Sequence, residues 1–118
     1  ARGLDHDSAR IAGLARGLIH DAWQEDVTAD DLAAVTGRTR YAVYRAFQAT
    51  YGMAPSDYQR QLRLRNARRL IARGRPLGDT AAATGFADQS HLTRWFSRYY
   101  GITPGGYRLA VTDRPPGA

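Results

Sequence analysis

The chain has 118 residues, is 43% apolar, carries a formal net charge of +6 and contains no cysteine. This composition is typical of one folded domain, or of two small ones sharing a core, and argues against a disordered chain. It excludes a disulfide framework and a thiolate metal site, and no apolar run approaches the roughly 20 residues of a transmembrane helix.

Positive charge is concentrated in the later part of the chain. Residues 1–31 hold three arginines and seven acidic residues, whereas residues 32–118 hold fourteen arginines and four acidic residues, so their net charges are −4 and +10. A basic block favours a polyanionic partner, although solubility alone also explains such a charge. The complete absence of lysine fits a GC-rich genome equally well.

The first predicted element is an amphipathic helix of about residues 8–24. Apolar side chains recur there at the spacing of one helical face. They are Ile11, Leu14, Ala15, Leu18, Ile19 and Ala22.

Two later segments, Asp31–Tyr58 and Asp79–Tyr107, repeat each other. Five identities lie at an offset of 48 residues and six more at an offset of 49. Each copy predicts a helix, a tight turn containing glycine and a second helix, which is a helix-turn-helix unit. The identities are Asp31, Ala33, Ala34, Thr36, Gly37, Arg45, Phe47, Tyr51, Gly52, Pro55 and Tyr58 in the first copy.

The first copy carries clear helix boundaries. Thr28 is a good N-cap with Asp31 three residues on, which approximates a capping box. Gly37 is placed to end that helix in the left-handed conformation, and a second helix of about residues 40–51 ends at Gly52. In the second copy the matching stops are Gly85 and Gly101.

A linker helix from Pro55 to about Arg73, ending at Gly74, connects the copies. Its predicted buried residues are Tyr58, Leu62, Ala67, Leu70 and Ile71. A last short helix begins at Thr103-Pro104 and is weakened by Gly105-Gly106. No strand pattern is found, so we expect an all-α protein.

The second helix of each copy has one apolar and one polar side. On a helical wheel the inward residues are Val43, Ala46, Phe47 and Thr50 in the first copy and Leu92, Trp95, Phe96 and Tyr99 in the second. The outward or flanking residues are Arg40, Tyr41, Tyr44, Arg45 and Gln48 in the first copy, and Gln89, Ser90, Thr93, Arg94 and Ser97 in the second.

Those outward residues suit the major groove of DNA. Arginine binds guanine through two hydrogen bonds, glutamine binds adenine, serine and threonine bind either, and a tyrosine ring contacts the thymine methyl group. A polar outer face is ordinary on a surface helix, but two copies with matched Arg45 and Arg94 favour DNA. A 19-residue linker helix is about 28 Å long. Because major-groove faces recur every ~34 Å, two recognition helices could bind adjacent grooves.

The stretch "TGFADQSHLTRWFSRYYGITPGGYR" (Thr84–Arg108) resembles the signature of AraC/XylS-family transcriptional regulators, and the resemblance extends over about residues 8–110. It implies a seven-helix domain of two helix-turn-helix subdomains joined by a linker helix. We predict subdomains at 1–53 and 75–111, the linker helix at 54–74 and a disordered tail at 112–118.

The resemblance implies sequence-specific binding of double-stranded promoter DNA by a transcriptional regulator, usually an activator. It places base contacts on Arg40, Tyr41, Tyr44 and Arg45, and on Gln89, Ser90, Thr93 and Arg94; the wheel adds Gln48. Candidate phosphate contacts are Arg38, Thr39, His91 and Arg98.

The absence of cysteine fits a reducing cytosol, and the sequence shows neither a membrane-spanning stretch nor a metal-ligand spacing. We therefore expect a cytoplasmic, nucleoid-associated protein without cofactor, metal or membrane contact, and with RNA polymerase as a second partner. Because the chain begins at Ala1 and its only methionine is Met53, we expect a sensing or dimerisation domain in a part of the protein outside this sequence.

This sequence departs from the family pattern at two core positions. Thr80 stands where isoleucine is usual and Leu92 where phenylalanine is usual, which predicts a looser second subdomain.

An enzyme is disfavoured, because His6, His20 and His91 lack metal-ligand spacing. The alternative function is a helical protein-interaction module without sequence-specific DNA binding.

Overall fold

The computed structural model describes residues 2–112, with side chains from His6 onward, and this part of the chain is entirely helical between its turns. It contains the helices α1 (Arg2–Asp21), α2 (Ala29–Thr36), α3 (Arg40–Tyr51), α4 (Pro55–Ala72), α5 (Leu77–Thr84), α6 (Gln89–Tyr100) and α7 (Pro104–Thr112). The all-α, seven-helix prediction is therefore confirmed for the described residues.

The chain divides into two compact units, Ala1–Leu62 and Arg63–Ala118, and the boundary falls inside α4. The predicted subdomain limits at 53, 74 and 111 stay a prediction. Of the predicted tail at 112–118, only Thr112 lies within the described residues, where it ends α7.

The core of the first unit forms around Phe47 of α3, whose side chain is completely buried. The Phe47 ring meets the rings of Tyr51 and Tyr58 edge-on, at centroid distances of 4.8 and 5.5 Å. Such packing adds to the stabilisation that comes from area burial alone. The other buried apolar residues of this core are Ile11, Ala12, Ala15, Ile19, Leu32, Val43, Ala46 and Leu62.

The core of the second unit has the same plan around Phe96 of α6. It is packed by Leu64, Ala67, Ile71, Ala81, Phe86 and Leu92, all buried. The Phe96 ring lies 4.7 Å from that of Tyr100 and 5.9 Å from that of Tyr107.

Thr80 is fully enclosed in this second core without leaving an unpaired hydroxyl. Its Oγ1 donates to the carbonyl of Pro76 at 2.9 Å, and Thr84 Oγ1 donates to the carbonyl of Thr80 at 2.7 Å. Because a buried polar group destabilises mainly when it is unpaired, Thr80 gives no sign of the looser packing that the sequence suggested.

The predicted helix boundaries around the first turn are confirmed. Thr28 Oγ1 accepts from the Asp31 amide at 3.0 Å, and the Asp31 carboxylate accepts from the Thr28 amide at 2.9 Å. Hydrogen bonding of the Asp31 carboxylate to the backbone amide of Thr28, and then to the Thr28 side chain, lowers the pKa of Asp31. Gly37 ends α2 with φ of 68°, and the other helix stops also have positive φ: Gly52, Gly74, Gly85 and Gly101.

The structure extends the repeat to the helix that precedes each helix-turn-helix. Ala15-Arg16 and Leu18-Ile19 of α1 match Ala67-Arg68 and Leu70-Ile71 of α4 at an offset of 52. Arg16 lies over the ring of Tyr51, with 5.8 Å from its guanidinium carbon to the ring centroid, and Arg68 lies over Tyr100 at 5.3 Å. Each unit therefore consists of a supporting helix, a helix-turn-helix pair and a closing helix.

Several predictions at helix ends were wrong. α1 begins at Arg2 and ends at Asp21, so the predicted span of 8–24 was too late at both ends. Leu14, assigned to its buried stripe, is 41% exposed. Thr50 and Tyr99, equivalent positions in the last turns of α3 and α6, are exposed although the wheel turned both inward. A wheel gives a direction, but it does not say whether a packing partner exists at that height along the helix.

We expect Gly17→Ala in α1 to stabilise the chain by about 0.5–1 kcal/mol. A Cβ added there meets nothing within 4 Å, so alanine removes the entropy penalty of glycine without a clash. Urea unfolding followed by circular dichroism measures the gain.

Gly37→Ala is the matched control, since Gly37 has equally open surroundings but φ of 68°. Alanine is strained in that conformation and should destabilise the chain. Equal effects at the two positions would contradict this assignment of helical and left-handed glycines.

Candidate nucleic-acid interface

The outer face of α3 is open to solvent along its length. Tyr41 is 70% exposed and Tyr44 is 45% exposed, which is unusual for aromatic side chains in a small domain. Arg40, Arg45 and Gln48 are exposed as well. The first set of sequence-predicted residues therefore lies on one accessible helix face.

Contacts on this face hold two of its arginines in place. The Arg45 guanidinium carbon lies 5.7 Å from the centroid of the Tyr41 ring, one helical turn away. Arg40 Nε lies 3.5 Å from the carboxylate of Asp30 on α2. Arg40 and Asp30 are both well exposed, so the attraction is weak and a phosphate could replace the carboxylate.

The turn between α2 and α3 carries Arg38 and Thr39, both exposed. Thr39 is the N-cap of α3, and its Oγ1 accepts from the Ala42 amide at 3.1 Å. Arg38 donates to the carboxylate of Asp7 at 3.2 Å, and Arg10 donates to the same oxygen at 3.0 Å. The predicted phosphate contacts here are thus a capping residue and an arginine that already has an acidic partner.

The outer face of α6 presents a more uniformly polar surface. Gln89, Ser90 and Arg94 are exposed, while Thr93 is half-buried. Arg94 makes no hydrogen bond or ion pair with any described residue, so its five donors are available to a ligand. Asp88 caps the helix by accepting from the His91 amide at 2.8 Å.

His91 is held by its own helix. Trp95 Nε1 donates to His91 Nε2 at 3.1 Å, and the Ala87 amide points at Nδ1 from 3.4 Å. A neutral imidazole has only one acceptor nitrogen, so we assign the shorter Trp95 bond and place the proton on Nδ1. The ring also packs edge-on against Phe86. His91 therefore positions Trp95, and only Nδ1 remains for the predicted phosphate contact.

Arg98, the last of the predicted phosphate contacts, lies on the following turn of α6. Its guanidinium carbon is 5.5 Å from the centroid of the Trp95 ring, and the side chain is exposed. Ser97, which the wheel turned outward, is half-buried, and its Oγ is enclosed without a hydrogen-bond partner. The polar face of α6 is therefore narrower than the sequence indicated.

Other kinds of site are not found in the described residues. This part of the chain holds no cluster of three or more histidine or acidic side chains able to bind a metal ion. None of the helices between Arg2 and Thr112 combines the length and apolar character that a bilayer span requires.

Sequence reasoning missed the acidic partners of the interface. Asp30 and Asp7 each hold an arginine of the α2–α3 region, at 3.5 and 3.2 Å. No spacing rule finds such pairs, because Asp30–Arg40 joins two helices and Asp7–Arg38 joins a helix to a turn. The only signal in the sequence for these acidic partners was the excess of acidic residues in 1–31, ahead of the basic residues of 32–118.

Comparison with known families gives one match that covers most of the chain. The family model described as "Helix-turn-helix domain" matches residues 32–110. That range includes both turns, the whole of α3, α5 and α6, and α2 from Leu32 onward.

Curated relatives are transcriptional regulators of bacteria. An uncharacterized HTH-type transcriptional regulator of Bacillus subtilis, YbfI, is 39% identical over 76 residues, which are 64% of this chain and 27% of that protein. The transcriptional activator NphR of Rhodococcus is 34% identical over 103 residues, 86% of this chain and 30% of NphR. The chain therefore spans 27–30% of the length of these two relatives.

Solved structures share the fold. An AraC-type regulator from Chromobacterium violaceum superposes with a TM-score of 0.79 at 26% identity, covering 90% of this chain and 96% of the other. The DNA-binding domain of AdpA, solved in complex with a target DNA, gives a TM-score of 0.81 at 25% identity, covering 91% and 97%.

Proposed function

The chain belongs to the AraC-type family of helix-turn-helix DNA-binding domains, and on that premise we propose that it binds double-stranded promoter DNA sequence-specifically as part of a transcriptional regulator. The observation that carries the proposal is the pair of exposed polar faces on α3 and α6, each the second helix of a helix-turn-helix. Activation is the direction of regulation that the similarity to an activator favours.

We assign base contacts to the outward residues of the two helices. Arg94 and Arg45 are the strongest candidates, since arginine forms two parallel hydrogen bonds with guanine. The remaining members are Arg40, Tyr41, Tyr44, Gln48, Gln89, Ser90 and Thr93. Arg38, Thr39, Arg98 and the Nδ1 side of His91 are assigned to phosphates, where contacts orient the protein without selecting sequence.

We further propose that α3 and α6 enter adjacent major grooves of one duplex. The duplication supports this, because both copies keep an exposed arginine at the matched position, Arg45 and Arg94. Selection from random duplexes tests it. Two conserved blocks about one helical turn apart are expected. A single block would mean that only one unit contacts bases.

A protein partner is the second candidate function, favoured by a groove in the first unit. The groove encloses about 530 Å³ and is lined by apolar residues together with acidic ones, Leu18, Ala22, Glu25, Asp26, Val27, Asp31, Ala34 and Val35. Val35 is 44% exposed. RNA polymerase is the partner that a promoter-bound regulator would meet there, and this contact would accompany DNA binding.

The affinity for duplex DNA should fall steeply with salt. Each phosphate neutralised by an arginine releases a counterion, so several contacts would lower the affinity by about 10³-fold or more between 50 and 200 mM salt. Fluorescence anisotropy with a labelled duplex measures the slope.

An acidic peptide of equal charge is the control ligand, since it carries the negative charge of the duplex but has no major groove. Absence of duplex binding even at low salt would remove the DNA proposal together with the polymerase contact at a promoter, and would leave a protein-interaction module without sequence-specific DNA binding.

The remaining attributes of the whole protein are inferred from the same premise. We infer a cytoplasmic location at the nucleoid, no catalytic activity, no cofactor, and a sensing or dimerisation domain elsewhere in the full-length protein. The low coverage of the relatives supports the last point, since this chain corresponds to 27–40% of the first three of them.

A further inference from the structure

A small cavity lies beside the recognition face of the first unit. It measures about 170 Å³ and opens to solvent. An apolar cavity of roughly 150 Å³ is large enough to hold benzene, whereas drug-sized ligands need about 300 Å³ or more. Its walls are Ile19, Val27, Ala29, Leu32, Arg40, Val43, Tyr44, Pro55, Ser56 and Gln59.

One wall residue carries an unused hydrogen-bond acceptor. Gln59 is only 7% exposed, and its Nε2 donates to the carbonyls of Trp23 and Glu25 at 3.0 and 2.6 Å. Its Oε1 accepts no hydrogen bond from the described residues, and it is not among the fully enclosed side-chain atoms. The amide oxygen of a largely buried side chain in the cavity wall is therefore left for a ligand or for water.

Arg40 and the N-terminus of α4 both bring positive charge to the same cavity. Arg40 contributes a guanidinium that is held only weakly by Asp30. Ser56 lies in the first turn of α4, an 18-residue helix, and its amide has no partner within the helix, whereas Pro55 has no amide hydrogen. The helix dipole and the Ser56 amide favour an anion.

We propose that this cavity binds a small aromatic carboxylate, with the ring among Ile19, Leu32 and Val43 and the carboxylate toward Arg40 and Ser56. A hydroxyl or amino substituent on the ring would donate to Gln59 Oε1. The cavity size limits the ligand to a single ring.

The site would couple ligand binding to DNA binding, and this part rests on the proposed function. Arg40 and Tyr44 line the cavity and also belong to the proposed base-contacting set. A carboxylate bound to Arg40 competes with DNA for the same guanidinium, so ligand and duplex should weaken each other's binding.

Nuclear magnetic resonance titration of the 118-residue chain with benzoate tests the site directly. Saturable shifts at Ile19, Val43 and Ser56 are expected by about 10 mM benzoate. Benzyl alcohol, which has the ring without the charge, should bind about two- to fivefold more weakly.

Ala29→Leu should weaken benzoate binding by more than about tenfold, because the larger side chain fills the cavity from an exposed position on α2. Ala34→Leu is the matched control, since Ala34 is exposed on the same helix and does not line the cavity. Equal binding by both variants, or no shift at the wall residues of the unmodified chain, would overturn the site. Equal affinity for benzoate and benzyl alcohol would overturn the carboxylate assignment.

A duplex titration in saturating benzoate tests the coupling, with an expected loss of affinity of about fivefold or more. Benzoate binding with unchanged duplex affinity would overturn the coupling. A chain that binds no duplex would contradict the proposed function, while the benzoate titration would still decide the cavity site alone.

Discussion

Phe96→Ala is expected to lower the free energy of unfolding by about 3–5 kcal/mol. Phe96 is completely buried, and its ring packs against those of Tyr100 and Tyr107. Removing the ring loses its burial and leaves a cavity that the surrounding helices cannot fully close. Because small proteins are stable by only about 5–15 kcal/mol, this is a large share of the total. Urea unfolding, with amide hydrogen exchange in α6, measures it.

Tyr99→Ala is the control on the same helix. Tyr99 is 52% exposed, so its loss should change stability by less than about 1 kcal/mol. If Phe96→Ala does not fold, Phe96→Leu keeps part of the packing and gives a measurable intermediate loss. A melting midpoint unchanged by either Phe96 variant would mean that the face of α6 that carries Phe96 does not pack in the core.

Arg94→Ala is expected to weaken binding to the selected duplex by about 1–3 kcal/mol, roughly 5- to 150-fold, and to relax the preference at one base pair. The physical reason is the loss of two parallel hydrogen bonds to a guanine edge from an arginine that has no partner within the described structure. Anisotropy titrations with the selected and a random duplex, at one salt concentration, measure both effects.

Arg98→Ala is the comparison variant, because it removes the same charge from the same helix. As a phosphate contact, Arg98 should contribute equally to both duplexes. If Arg94→Ala likewise weakens binding to the selected and the random duplex equally, Arg94 contacts only phosphate.

Local rules explain why the fold was largely predictable. The glycines that end helices need a left-handed conformation, and all five of them have it in the structure. Thr28 and Asp31 form the capping box that their spacing indicated. α7 forms across Gly105-Gly106, because its helix is anchored by the buried Pro104 and by Tyr107 in the core.

What the sequence did not predict depends on contacts between helices. The wheel placed Thr50 and Tyr99 inward, but both side chains are exposed, because only their neighbours Tyr51 and Tyr100 reach the cores. The Asp30–Arg40 pair joins two helices. The bond from Trp95 to His91 lies within α6 at i, i+4 spacing, but it depends on side-chain rotamers that this spacing alone does not set. The cavity beside Arg40 was equally invisible, since its walls come from four separate helices.

The paired threonines at the ends of α2 and α5 have a consequence for how such proteins diversify. Thr36 and Thr84 are both buried, and each returns its hydroxyl to the carbonyl four residues earlier at 2.7 Å. These identical bonds, with Gly37 and Gly85 beside them, stabilise the backbone at the ends of α2 and α5 and do not involve the outward side chains. The side chains that face outward beyond them are free to drift apart after a gene duplication. One ancestral scaffold can thus acquire two helices with different base-sequence preferences. A new operator preference could be engineered by exchanging only the outward side chains of these helices.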